Sequence, residues 1–257
     1  MPHPSPQDRA PMSQNIYDQP DFFHGYSQLP RSRDGLDAAA EWPAMQALLP
    51  PLAGTRIVDL GCGFGWFCRW ASARHARSIL GIDLSENMLA RARGFGHDAA
   101  ITYVRQDLET LELPPAVFDL AYSSLALHYV SDLAALLQTI HDSLLPDGHF
   151  VFSTEHPIYT APSHPHWAQD ATGARIWPLN DYQKEGPRST DWLAPGVIKQ
   201  HRTLGTLINA LIDTGFTVTH VEEWSPTDQD LAAHPDWAPE RDRPTFLLIA
   251  ARKQAAP

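Results

Sequence analysis

The chain has 257 residues, 43% hydrophobic and 19% charged, which is enough apolar content for a large core and too little charge for a disordered polyelectrolyte. Its 19 Lys and Arg face 30 Asp and Glu, a formal charge of −11 with no basic run, which argues against a surface that holds nucleic-acid phosphates. The longest wholly apolar stretch, Phe246–Ala251, is far short of the ~18 residues of a membrane span.

Met1-Pro2-His3-Pro4 has neither the basic start nor the apolar core of a signal peptide. Cys62 and Cys68, the only cysteines, read as buried thiols of a reducing compartment. The expectation is a soluble cytoplasmic protein, monomer or homodimer, with no membrane or nucleic-acid partner.

Residues 1–14 carry four prolines and almost nothing apolar, so a disordered arm is expected there. Residues 15–50 are punctuated by Tyr17, Phe22, Phe23, Tyr26, Leu29, Leu36 and Trp42, which predicts a cap of one or two short helices. From Arg56 strands and helices alternate. Ile57–Leu60 is a strand, Phe64–Arg74 a helix, Ser78–Ile82 a strand, Ser85–Arg93 a helix and Ile101–Arg105 a third strand.

Phe118–Ser123 is a fourth strand, and a helix follows from about Asp132 to Leu145 with Leu133, Leu136, Leu137, Ile140 and Leu144 on one face. Pro146-Asp147-Gly148 stops that helix, and His149–Ser153 is a fifth strand. The alternation predicts an α/β fold with a mostly parallel, doubly wound sheet. Residues 154–203 break the rhythm with six prolines, Trp167, Trp177 and Trp192. They are expected to form an inserted lid over the substrate, since a structureless loop of that length is rare in a compact domain. Leu204–Thr214 restores helical spacing, and Phe216–Glu222 and Thr245–Ala251 supply two last strands, so 51–153 and 204–252 make up the main domain.

The most informative stretch is Asp59-Leu60-Gly61-Cys62-Gly63-Phe64-Gly65, directly after the first strand. Glycines at alternate positions let the backbone turn tightly and approach a ligand with no Cβ in the way. Trp66 stands where a dinucleotide-binding loop would place its third glycine, and the P-loop lysine is absent, so the loop suits a nucleoside without a diphosphate. Asp83 ends the second strand, where one carboxylate can accept both hydroxyls of a ribose. Asp107 follows the third strand, where an acidic side chain and a backbone N–H can read an adenine edge.

In this order and spacing the residues resemble the successive motifs of class I S-adenosylmethionine-dependent methyltransferases. The resemblance also takes in Phe118-Asp119-Leu120 and Leu145-Pro146-Asp147-Gly148-His149-Phe150, and covers roughly residues 55–153. It implies seven strands in the order 3-2-1-4-5-7-6 with the last antiparallel, helices on both faces, and S-adenosyl-L-methionine as cofactor. It places Asp59, Gly61, Cys62, Gly63 and Gly65 around the methionine part, with Ser124 near that end. Asp83 would take the ribose, Leu84 and Met88 would flank the adenine, and Asp107 and Leu108 would contact its amino group and N1. Neither the Asn-Pro-Pro-Tyr tetrapeptide nor the Pro-Cys nucleophile of nucleic-acid base methylation occurs.

Displacement at a sulfonium is governed largely by positioning, so catalytic groups are harder to read than cofactor groups. His128, after the fourth strand, and His156, after the fifth, are the candidate proton acceptors, with His156 ranked first. Each could instead be a packing group. Arg31 is a candidate partner for the cofactor carboxylate, and Tyr17, Tyr26, Trp192 and Trp224 are candidate substrate walls. The histidines around His164-Pro165-His166 lack cysteine partners, and no metal is expected. These features point to methyl transfer onto a small molecule, with oxygen or nitrogen ahead of carbon or sulfur as acceptor. Two rivals stand beside it: a cofactor-binding regulatory or scaffold module without turnover, and a protein or peptide methyltransferase.

Overall fold

A computed structural model describes residues 13–254. The cap holds α1 (Pro20–Ser27), α2 (Pro30–Arg33) and α3 (Trp42–Ala47), with two 3₁₀ turns between and before them. The main chain then runs β1 (Arg56–Leu60), α4 (Trp66–Ser72), β2 (Ser78–Asp83), α5 (Glu86–Arg93), β3 (Ile101–Arg105), β4 (Phe118–Ser124), α6 (Leu133–Ser143) and β5 (Leu144–Glu155). The inserted segment contributes α7 (Pro157–Thr160), β6 (Ala168–Gln169), β7 (Arg175–Ile176), β8 (Gly186–Thr190) and β9 (Val197–His201). The chain closes with α8 (Leu204–Thr214), β10 (Phe216–Glu223), α9 (Asp228–Ala233) and β11 (Phe246–Lys253).

Seven strands form one sheet in the order β10-β11-β5-β4-β1-β2-β3, with β11 antiparallel to both neighbours. This is the topology expected from the sequence. Alternation along β1 explains the two-sided core: Val58 and Leu60 join α6 and α8 on one face, while Ile57 joins Trp42, Phe67 and Leu89 on the other. On α6, Leu133, Leu136, Leu137 and Ile140 are all buried, each contributing ~1.5–3 kcal/mol relative to exposure. The Asp132 carboxylate caps that helix by accepting the Ala135 N–H at 3.0 Å.

Several expectations need correction. The cap has three short helices, because Pro20, Pro30 and Pro43 stand at the first or second position of successive ones. Residues 1–12 of the expected arm lie outside the described residues, but its last two residues are held in place. Ser13 donates to Asp107, while Gln14 bonds the Gly196 carbonyl and the Ile198 N–H. The fifth strand starts at Leu144, since Phe118 pairs with Leu144 and Leu120 with His149, leaving Pro146-Asp147-Gly148 as an irregularity within the strand. It also runs on to Glu155, which pairs with Phe246, so Thr154 and Glu155 belong to the sheet. Among the described residues no helix is long and apolar enough to cross a membrane.

Candidate active site

The sheet reverses its strand order between β1 and β4, and a cavity of about 960 Å³ opens beyond the carboxyl ends of these strands. Asp59, Gly61, Cys62, Gly63, Asp83, Leu84, Met88, Asp107, Leu108 and Ser124 all line it. Gly63 has φ +52°, and a Cβ there would meet nothing within 4 Å, so bare backbone faces open space. That cradle fits a ligand that must lie close against the main chain.

Gly65 is a correction. It is not on the cavity wall; it precedes α4 at φ +68°, and a Cβ there would sit 2.1 Å from the Tyr103 hydroxyl. Its bareness serves packing. Trp66, the residue in place of a third glycine, lines the cavity and donates its indole N–H to the Ser32 carbonyl at 3.2 Å, bracketing the cap onto the loop.

The Asp83 carboxylate accepts the Gly63 N–H at 2.8 Å and the Ser85 N–H at 2.9 Å. Of its roughly four lone-pair sites two are left, matching the two hydroxyls of a ribose. Burial pushes this carboxyl up to about 6, with Asp18 adding a like charge and the two N–H donors opposing. Asp59 is pushed up to about 7 by burial, against the opposing Cys68 thiol, which donates to it at 3.2 Å. Asp107 accepts from Ser13 Oγ at 2.7 Å, Ser13 N at 3.0 Å and Glu109 N at 3.0 Å, leaving room for one more donor.

The opposite wall is aromatic. Tyr17, Tyr26, Trp192 and Trp224, all expected from the sequence, line it together with Tyr129, Tyr159, Trp237 and Phe246. The Tyr17 and Tyr129 hydroxyls are 3.0 Å apart, and Phe22, Ile16 and Val197 pack behind them, fastening the N-terminal segment to β9. Arg31 also reaches the cavity, with its guanidinium bonded to the buried Glu41 carboxylate. The other Glu41 oxygen is buried without a partner. Among the described residues no group of three or more His, Cys, Asp or Glu could hold a metal ion.

The two histidines separate. His128 is buried on the cavity wall, and its pKa lies well below the ordinary value because burial and the charges of Lys199 and Arg202 disfavour protonation. His156 is a correction: it does not line the cavity. Its Nδ1 accepts the Ile158 N–H at 3.0 Å, capping α7, and its Nε2 faces Glu223 Oε1 at 2.8 Å. The Pro157 restriction on backbone direction, which suggested a side chain aimed at the substrate, instead builds a helix start. His156→Ala is therefore expected to lower stability by about 1–2 kcal/mol and to leave kcat within about threefold of wild type. Thermal unfolding and turnover of the variant check both halves. Sequence reasoning missed Glu155, Tyr129, Glu41 and Tyr159 on the wall; only Glu155 carried a signal, as a carboxylate at the end of the fifth strand.

A family model described as a methyltransferase domain matches residues 58–152. A crystal structure of an S-adenosylmethionine-dependent methyltransferase from Mesorhizobium loti superposes with a TM-score of 0.82 at 64% identity, covering 85% of this chain and all of that one. The chain belongs to the class I S-adenosylmethionine-dependent methyltransferases. An uncharacterized protein of Haemophilus influenzae is 36% identical over 93% of this methyltransferase and 97% of its own length. A malonyl-[acyl-carrier protein] O-methyltransferase of Erwinia pyrifoliae is 39% identical over 100 residues, which span only 37% of that protein.

The cofactor of this methyltransferase is S-adenosylmethionine, and the pKa of Asp83 sets a testable pH dependence. With a ribose at Asp83, its hydroxyls would donate to the ionised carboxylate, and burial holds that carboxyl up at about 6. Affinity must then fall as pH falls through that value. The expectation is about tenfold weaker binding at pH 5 than at pH 7, flattened in Asp83→Asn, as read by calorimetry with S-adenosylhomocysteine.

Proposed function

We propose that this methyltransferase acts on an oxygen or nitrogen of a small molecule enclosed between the cofactor site and the aromatic wall. The observation that carries the reading is the roof of the cavity. The N-terminal segment, the inserted segment and the 223–243 connection all contribute to its lining, through Tyr17, Trp192 and Trp237 among others. A cavity near 960 Å³ is at the upper end of small-ligand sites, and aromatic walls with few polar groups are typical of them. The partial likeness to malonyl-[acyl-carrier protein] O-methyltransferases supports oxygen as an acceptor.

In the same reading Asp83 binds the ribose, Leu84 and Met88 flank the adenine, and Asp107 and Leu108 bind its edge. Gly61, Cys62, Gly63, Asp59 and Ser124 surround the methionine part. Arg31 takes the carboxylate of the methionine, and the unpartnered Glu41 oxygen takes its ammonium, so the pair matches a zwitterion. The bound cofactor supplies an electrophilic methyl whose bond to sulfur breaks with the electron pair left on sulfur. The chain excludes water and aims the acceptor's lone pair along the line of displacement, which can supply ~7–11 kcal/mol of barrier reduction.

The test is methyl transfer from labelled S-adenosylmethionine into a whole-cell extract, split by size. Label in the small-molecule fraction supports the reading. Label confined to protein would replace it with a protein methyltransferase, and tight cofactor binding with no transfer would leave the scaffold alternative.

A further inference from the structure

Glu155 lines the cavity and has no part in the cofactor assignments. Its Oε1 holds the Lys199 ammonium at 2.5 Å, while its Oε2 is buried with no hydrogen-bond partner. The pair is well shielded, at 12% exposure for Glu155 and 3% for Lys199, and Lys199 lies 4.8 Å above the Trp192 ring. An unpaired buried acceptor is costly, so a wall that keeps one has a donor to receive.

The register places Glu155 on the same face of β5 as the methionine end of the site. Ser124, assigned above to the methionine end, pairs with Ser153 across β4 and β5. Glu155 lies two residues further along β5 on the same face as Ser153, about 7 Å beyond that level. His128 is its polar neighbour, with the Glu155 N–H 3.5 Å from His128 Nδ1. The Thr154 hydroxyl lies at the same 3.5 Å from Nδ1, so the ring is held between Thr154 and Glu155 while the carboxylate keeps the free acceptor.

The charges narrow the ligand. A carboxylate acceptor would meet the bare Oε2 and be repelled. A cationic amine would meet Lys199, held at the same carboxylate, with Arg202 close enough to disfavour protonation of the neighbouring His128. A neutral hydroxyl or N–H meets a neutral ion pair that needs one more donor. Tyr129, Tyr159 and Trp192 offer flat apolar surface around it.

We propose that Glu155 is a substrate-binding catalytic residue whose Oε2 accepts a hydrogen bond from an uncharged O–H or N–H of the methyl acceptor, carried on an aromatic small molecule. As the acceptor's lone pair forms its bond to the methyl carbon and the sulfur keeps the electrons of the bond that breaks, the acceptor's proton passes to Oε2 and then to solvent. The proposal rests on the small-molecule reading above and adds the substrate class.

The test compares phenol, benzoate and benzylammonium, one ring with three charges, binding to the wild-type protein saturated with S-adenosylhomocysteine, by saturation-transfer NMR. Phenol is expected to bind about tenfold more tightly than either ion, and Glu155→Gln to lose about tenfold in phenol affinity at unchanged S-adenosylhomocysteine affinity. Should the glutamine variant fold poorly with Lys199 left unpaired, Glu155→Gln with Lys199→Met removes that charge and is expected to show the same loss. Equal binding of the three rings, preference for either ion, or undiminished phenol affinity in a folded variant overturns the proposal. A wild type that does not bind S-adenosylhomocysteine fails the cofactor reading instead; one that binds it and does not discriminate among the rings fails this proposal alone.

Discussion

Asp83→Ala is expected to weaken S-adenosylhomocysteine binding about a hundredfold or more, because two charge-assisted bonds to a ribose at ~1.5–3 kcal/mol each are lost together. The same carboxylate also ties Gly63 and Ser85 to one point, so the loop and the start of α5 lose their common anchor. Stability should move much less. Removing a carboxyl that burial and Asp18 already disfavour in its charged form offsets the two backbone bonds that go with it. Calorimetry and thermal unfolding on one preparation separate the two effects. Unchanged affinity in a folded variant would falsify the ribose assignment.

Gly61→Ala should act in the opposite proportion, on stability first. Gly61 has φ +76°, and its Cβ would lie 2.4 Å from the Ala126 Cβ, where the loops after β1 and β4 cross. Left-handed strain at ~1–3 kcal/mol and overpacking at ~1–3 kcal/mol add to a loss of about 2–6 kcal/mol. Relief by moving the Ala126 loop would shift Ser124 and Leu125 on the cavity wall, so cofactor affinity falls as well. Urea unfolding of the variant with and without Ala126→Gly is the measurement. The second substitution should restore part of the stability, and no recovery would mean the strain lies in the backbone alone.

Much of this architecture is legible in the residues because local rules and the global fold agree there. The α6 stripe, the Asp132 cap and the glycine loop each depend on neighbours within a few positions, and the strand order follows once the family motifs are seen. The misread features depend on partners far along the chain. Gly65 is bare because Tyr103 lies over it, and nothing near Gly65 in sequence says so. His156 looks poised for substrate until Glu223, 67 residues later, takes its other nitrogen. Glu155 stands just past the predicted fifth strand, His149–Ser153, with nothing beside it in sequence to name a partner. Its actual partner, Lys199, arrives from β9, whose pairing with β8 no periodicity announces.

Ser13 and Gln14 are consecutive, yet one is bonded to Asp107 at the cofactor end and the other to Gly196 and Ile198 in the inserted segment. Two residues span only about 7 Å of chain, so neither attachment can travel far while the other holds. Any large displacement of Ser13 from Asp107 therefore also pulls on the edge of β9, beside Lys199 and Trp192. On the assignments proposed above, spent cofactor and methylated product would leave through the same event. Turnover in such an arrangement is paced by how often that single latch lifts, and the steady-state rate should follow solvent viscosity more closely than the identity of the acceptor atom.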